Sequence, residues 1–174
     1  MTVPAVAAPY IASTVLLGVA GAAKILRPES TARALQQAGL PGSRISVRSG
    51  AVLELCVAGA ALVVPGPITG ALVAASYGAF AAFVTLAVRF RWPISSCGCF
   101  GTPDTVPTAA HAVLNFAAML SGVWWAADSP SSLAGVFDGP WGGGPLALVS
   151  AVVALLAYVV WTNPVPAVVR RPQP

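Results

Sequence analysis

Two cysteines separated by one glycine are the residues of this sequence best suited to chemistry. They stand in the segment Ser96-Cys97-Gly98-Cys99-Phe100-Gly101. Two thiols at this spacing, beside glycines that free the backbone, suit thiol–disulfide exchange or the binding of a soft metal ion. A disulfide between them would close a small, strained ring, and strained bridges are the labile kind. The pattern favours redox chemistry over a metal site with Cys97 and Cys99 as ligands, and over two small fillers in a turn.

Ionisable side chains within apolar stretches form a second set of candidates, because a charge inside a membrane helix is costly and needs a partner. Glu54 stands in such a stretch, and Lys24 ends an earlier one. A Lys24–Glu54 ion pair would fix the packing of two helices, and Glu54 could alternatively take a proton from a cysteine. Cys56 is two residues from Glu54 and cannot share its helix face. There we expect a core residue, with a third redox thiol as the alternative.

His111 and Asn115 are four residues apart and are therefore neighbours on one helix face. At 1.5 Å per residue, His111 lies roughly 9 Å inside its apolar stretch, beneath the cysteine segment and at a depth similar to that of Glu54. It could move protons or stabilise a thiolate, and the alternative is an interhelical hydrogen bond. These polar residues and the cysteines all fall in or above one leaflet, which predicts a single site.

The composition identifies the solvent around these residues. The 174 residues are 57% hydrophobic and only 8% charged, whereas a soluble domain has about 25% charged residues. So few charges cannot cover a water-facing surface, which excludes a soluble globular enzyme, a disordered chain and a coiled coil. The net charge of +4 comes from nine scattered basic residues, and these make no phosphate-tracking patch, so no nucleic-acid partner is predicted.

Five apolar stretches are suited to crossing the lipid bilayer as helices, since a span needs about 20 residues and satisfies its own backbone groups. We predict an all-α, polytopic transmembrane helical bundle in one integral membrane domain, with a four-helix core and a fifth, C-terminal transmembrane helix. The predicted spans are 5–26, 47–64, 67–89, 106–127 and 145–163. Pro65-Gly66-Pro67 predicts a tight turn, so that the second and third spans form a hairpin. Between the first two spans, 32–38 could form a surface helix, although a plain connector is favoured.

The basic residues predict the orientation. With five spans all of them fall on one side, and loops rich in Lys and Arg stay in the cytoplasm; they are Lys24, Arg27, Arg33, Arg44, Arg48, Arg89, Arg91, Arg170 and Arg171. We predict a multi-pass protein of the inner or plasma membrane, with the N-terminus outside and the C-terminus and the cysteine segment in the cytoplasm. No basic residue precedes the first apolar stretch, so residues 1–23 are expected to be retained rather than cleaved. Interfacial aromatic residues are expected at both boundaries, with Tyr10, Trp124 and Trp125 towards the outer one and Trp92 and Trp161 towards the inner one.

The sequence resembles the MauE family of methylamine utilisation proteins within the wider DoxX-like membrane group. The resemblance covers residues 15–127 and rests on four elements: Gly21-Ala22-Ala23-Lys24-Ile25-Leu26-Arg27-Pro28, Ala38-Gly39-Leu40-Pro41, Glu54 and Cys97-Gly98-Cys99-Phe100-Gly101. It implies a small redox-associated membrane protein in which Cys97 and Cys99 are the exchanging pair. The family also implies a thioredoxin-like partner and a part in the maturation or export of the disulfide-rich small subunit of methylamine dehydrogenase.

The leading hypothesis is a membrane thiol–disulfide oxidoreductase or electron-transfer protein that serves a thioredoxin-like or other redox protein. Two alternatives stay open. In one, the apolar bundle beneath the cysteine segment accepts a quinone as cofactor. In the other, the chain is a non-catalytic assembly or metal-binding subunit of a membrane complex.

Overall fold

A computed structural model of the chain describes residues 3–94, 106–128 and 143–162, without the side chains of 3–6 and Trp161. Within these ranges the chain forms helices and no strand, which confirms the predicted all-α membrane bundle. The helices are α1 (Val3–Leu26), α2 (Glu29–Gln37), α3 (Arg44–Val63), α4 (Pro67–Arg89), α5 (Ala109–Ala127) and α6 (Gly144–Thr162).

Four of these helices, α1, α3, α4 and α5, are long and apolar enough to cross a membrane. The apolar part of α6, Gly144–Val160, is shorter, and a fifth span therefore stays a prediction. Cys97, Gly98, Cys99, Phe100 and Gly101 lie outside the described residues. Their roles also stay predictions.

The spans pack closely where small residues face each other. Gly70 and Ala74 on α4 meet Gly122 and Ala126 on α5, and each pair has the four-residue spacing that lets membrane helices approach. A Cβ added to Gly70 would lie 2.8 Å from the backbone nitrogen of Ala126, and one added to Gly122 would lie 2.8 Å from that of Ala74. The backbones of α4 and α5 are therefore in direct contact at this crossing.

An aromatic stack joins α1 to α5. The rings of Tyr10 and Trp125 are parallel within 4°, with their centroids 4.2 Å apart, and both side chains are buried. Tyr10 and Trp125 therefore face the interior of the bundle rather than lipid, whereas Trp124 is exposed. Their level near the outer boundary stays a prediction. Adjacent residues of a helix point about 100° apart, so only one of the two tryptophans can fill the space between α1 and α5.

The segment between the first two spans is a helix, so the favoured interpretation as a plain connector is wrong. This helix, α2, ends at Gln37. In the turn that follows, Gly39 has a φ of +75°, which suits glycine, and the amide of Leu40 donates to the carbonyl of Leu35 at 2.8 Å. Ala34 of α2 packs in one buried cluster with Ala87 and Ile94. Helix α2 therefore lies against the end of α4, at the end of the bundle where α3 begins.

Candidate functional site

The predicted ion pair between Lys24 and Glu54 is present. Lys24 Nζ lies 2.7 Å from each carboxylate oxygen of Glu54, and Lys24 is only 4% exposed. Gly21 stands one turn before Lys24, and a Cβ there would lie 2.9 Å from the carbonyl oxygen of Ala51. This glycine lets α1 approach α3 closely at the level of the pair.

The ammonium group of Lys24 has a second neighbour, the ring of Phe80 on α4. Lys24 Nζ lies 4.4 Å from the ring centroid, within the range of a cation–π interaction. The positive charge is thus balanced by the Glu54 carboxylate and by an aromatic face. Through this contact, three of the spans meet at one charged group.

A cavity of about 520 Å³ adjoins the ion pair, a size typical of cofactor and ligand sites. Among the described residues, Lys24 and Glu54 are the charged side chains in its wall. Phe80, Phe83 and Trp92 supply aromatic surface, and residues of α2, α3 and α4 complete the lining. A single charged pair in an apolar enclosure can orient the polar end of an otherwise apolar ligand.

His111 lies buried in the first turn of α5, where Thr108 caps the helix. The backbone N–H of Thr108 donates to His111 Nδ1 at 3.2 Å, and Thr108 Oγ1 lies 2.7 Å from the same nitrogen. Because a backbone N–H can only donate, Nδ1 accepts and the neutral ring carries its proton on Nε2. Asn115, also buried, donates to the carbonyl of His111 at 2.7 Å. The two residues share one buried face, as their spacing predicts.

The level of His111 in the bundle follows from the aromatic stack. The Tyr10–Trp125 contact sets the register of α1 against α5. Lys24 is fourteen residues after Tyr10, and His111 is fourteen residues before Trp125. At 1.5 Å per residue, the backbones of Lys24 and His111 both lie about 21 Å from the stack. The histidine and the ion pair therefore belong to the same end of the bundle.

Cys56 lies away from this site. Its side chain is exposed on α3, so the expectation of a core residue is wrong. Residues two positions apart in a helix point about 200° apart. Because Glu54 faces Lys24, Cys56 faces outward. Within the described ranges, no three His, Cys, Asp or Glu side chains gather as a metal site requires.

Sequence reasoning missed Phe80, Trp92 and the role of α2 as a wall of the cavity. Phe80 sits in a continuous apolar run that gives no sign of which residue faces Lys24. The sequence did contain a signal for close helix approach: Gly21, a small residue, stands one turn before Lys24.

Comparison with known proteins gives one match. A family model described as methylamine utilisation protein MauE matches residues 1–128. No curated protein and no solved structure matches the chain. The matched range includes α1 to α5, the ion pair and the cysteine segment, and α6 lies beyond it.

Proposed function

The chain belongs to the MauE family of methylamine utilisation proteins and is a multi-pass membrane protein, and on this premise we propose that it exchanges thiols and disulfides with a redox protein partner. Cys97 and Cys99 are the exchanging pair, and the partner is thioredoxin-like or another dithiol protein. The supporting observation is that the residues flanking the cysteine segment both reach the polar end of the bundle. Trp92 lines the same cavity as Lys24, and Thr108 bonds to His111.

The length of the connection limits how far the sulfurs can be from this site. Cys97 follows Trp92 by five residues, which span at most about 18 Å when fully extended. Cys99 precedes Thr108 by nine residues, or at most about 32 Å. The thiols are therefore tethered on both sides to residues that contact the candidate site.

The exchange would proceed through a mixed disulfide. A thiolate of a partner dithiol attacks one sulfur of the Cys97–Cys99 disulfide and releases the other cysteine of the pair as a thiolate. The second thiol of the partner then attacks the mixed disulfide, which leaves the partner oxidised and the Cys97/Cys99 pair reduced, with two electrons transferred. Thiols lose protons in these steps, and we propose that Glu54 and His111, at the same end of the bundle, accept them.

The test follows the redox state of the pair in cells. In a Cys56→Ala background only Cys97 and Cys99 remain, and Cys56 lies outside the site. We expect mass-tagged maleimide to label two thiols when the pair is reduced and none when the pair forms a disulfide. Cys97→Ser and Cys99→Ser should each abolish the turnover. The variant that keeps the cysteine bonded to the partner should also accumulate a mixed disulfide, which mass spectrometry would identify.

The control is the Cys56→Ala protein, which should cycle like the parent. A pair that keeps one redox state under all growth conditions, including growth on methylamine, would contradict the proposal.

We further propose that the cysteine segment and the ion pair lie on the cytoplasmic side of the inner or plasma membrane, with α6 as a fifth span. The end of the bundle formed by the last turn of α1, by α2 and by the first turn of α3 carries Lys24, Arg27, Arg33, Arg44 and Arg48, and such charge stays inside. In the Cys56→Ala background, a membrane-impermeant maleimide should label inverted vesicles and leave intact cells unlabelled. Labelling of intact cells would contradict this orientation and place the cysteine segment outside. It would not bear on the exchange reaction, which the previous experiment tests.

A further inference from the structure

The cavity beside the ion pair opens sideways between α3 and α4. Gly50 on α3 and Ala79 and Leu86 on α4 line the cavity and are nevertheless exposed. Ala79 is ten residues before the end of α4 at Arg89, which places it about 15 Å from that end. The hydrocarbon core is about 30 Å thick, so this opening reaches acyl chains. A ligand can therefore enter the cavity from the bilayer.

The walls fit a flat ring that carries a hydrogen-bond acceptor. Phe83 and Trp92 meet edge to face, with centroids 5.9 Å apart, and Phe80 adds a third ring to the lining. An ammonium group has three N–H donors, and the oxygens of Glu54 take two of those on Lys24. The Phe80 ring lies beside the same ammonium group, and Lys24 and Phe80 both line the cavity, so we expect the third N–H to meet an oxygen of a ligand held against that ring.

The balance of charge selects an uncharged ligand. The Glu54 carboxylate neutralises the Lys24 ammonium within the wall, and the other lining residues that the structure describes are uncharged. An anionic lipid headgroup would therefore find no net positive charge there and would have to compete with Glu54 for Lys24. A neutral carbonyl needs only one donor.

We propose that this cavity binds the ring of a membrane quinone and that the quinone is the electron acceptor of the Cys97/Cys99 dithiol. The electron-transfer part rests on the proposed function. The two thiols lose two electrons and two protons and form one S–S bond. The quinone takes both electrons and both protons at its two carbonyl oxygens and leaves as the quinol. Cys97 follows Trp92 of the cavity wall by five residues, and five residues span at most about 18 Å between Cα atoms.

Two glycines of α3 provide a matched test of the site. An added Cβ meets nothing within 4 Å at either Gly50 or Gly59, and both residues are exposed. Only Gly50 lines the cavity. In full-length protein purified into quinone-free phospholipid nanodiscs, Gly50→Leu should weaken the binding of decylubiquinone at least about tenfold, because the added methylenes occupy the ligand's space. Gly59→Leu should bind like the parent.

A second obstruction comes from the facing helix. Ala79→Leu should weaken decylubiquinone binding as Gly50→Leu does, and tryptophan fluorescence quenching or equilibrium dialysis would measure both. Equal affinities for the Gly50 and Gly59 variants would overturn the site. Phospholipid that stays bound in the cavity, by native mass spectrometry, and is not displaced by decylubiquinone would also overturn it in favour of a structural lipid.

The binding measurement is independent of the cysteine chemistry. Cys97→Ser/Cys99→Ser protein should bind decylubiquinone like the parent and lose only its reduction to the quinol, followed by absorbance. If the cysteines cycle in cells while decylubiquinone does not bind, this inference fails and the proposed function stands. If decylubiquinone binds but leaves the parent dithiol reduced, the quinone is not its acceptor, and the electron-transfer part is overturned.

Discussion

Replacing Glu54 alone by leucine should lower the free energy of unfolding by about 3–5 kcal/mol, the usual cost of breaking a buried ion pair. Lys24 is 4% exposed and bonds to both oxygens of Glu54. Without the carboxylate, the buried Lys24 side chain would keep the Phe80 ring as its partner among the described residues, and a buried ammonium without a counter-charge is costly. The double variant Lys24→Met/Glu54→Leu should recover most of this loss, because buried pairs can often be replaced by apolar side chains at little cost.

The exposed ion pair of the same chain is the matched control. Arg44 Nε lies 3.4 Å from Glu29 Oε1, with side chains 70% and 44% exposed. Glu29→Gln should change the free energy of unfolding by less than about 1 kcal/mol, as is typical of surface pairs. Thermal unfolding in detergent, followed by circular dichroism, compares the variants. Similar losses for Glu54→Leu and Glu29→Gln would show that the buried pair does not stabilise the bundle.

The double variant also separates two roles of Glu54. If the pair only locks α1 to α3, the Lys24→Met/Glu54→Leu protein should be stable and should still exchange disulfides. If Glu54 handles protons, the same protein should be stable but slow in exchange. A readout of stability alone would not distinguish these roles, whereas the redox state of Cys97 and Cys99 does.

Gly122→Val should destabilise the bundle by about 3 kcal/mol, the upper end of the usual cost of overpacking. The first added carbon would already lie 2.8 Å from the backbone nitrogen of Ala74 and 3.0 Å from the carbonyl oxygen of Gly70. These are backbone atoms and cannot turn aside, so α4 and α5 must separate. Because α5 carries His111, we also expect slower exchange of the cysteine pair.

Gly59→Val is the control for this change. It introduces the same residue into another membrane helix, where an added Cβ meets nothing within 4 Å. Both variants replace a glycine of a membrane helix by valine. They differ because Gly122 lies at a helix crossing and Gly59 does not. Equal midpoints of thermal unfolding would contradict direct backbone contact between α4 and α5.

The amino-acid sequence determined the class of protein and several of its contacts. The apolar stretches predicted the membrane helices because lipid leaves a backbone no other way to satisfy its polar groups. The sequence also predicted the Lys24–Glu54 ion pair, because a carboxylate in an apolar helix needs a cation and Lys24 ends the preceding apolar stretch. The shared face of His111 and Asn115 followed from helical spacing alone.

The tertiary structure decided which face of each helix turns inward. Tyr10 and Trp125 stack inside the bundle, Cys56 points outward, and Phe80 lies beneath Lys24. In a soluble helix the apolar stripe marks the buried face. Here both the lipid side and the core side are apolar, so hydrophobicity does not distinguish them. Only the packing of small residues and the fit of large ones fix the rotation of each helix, and with it the cavity between α2, α3 and α4.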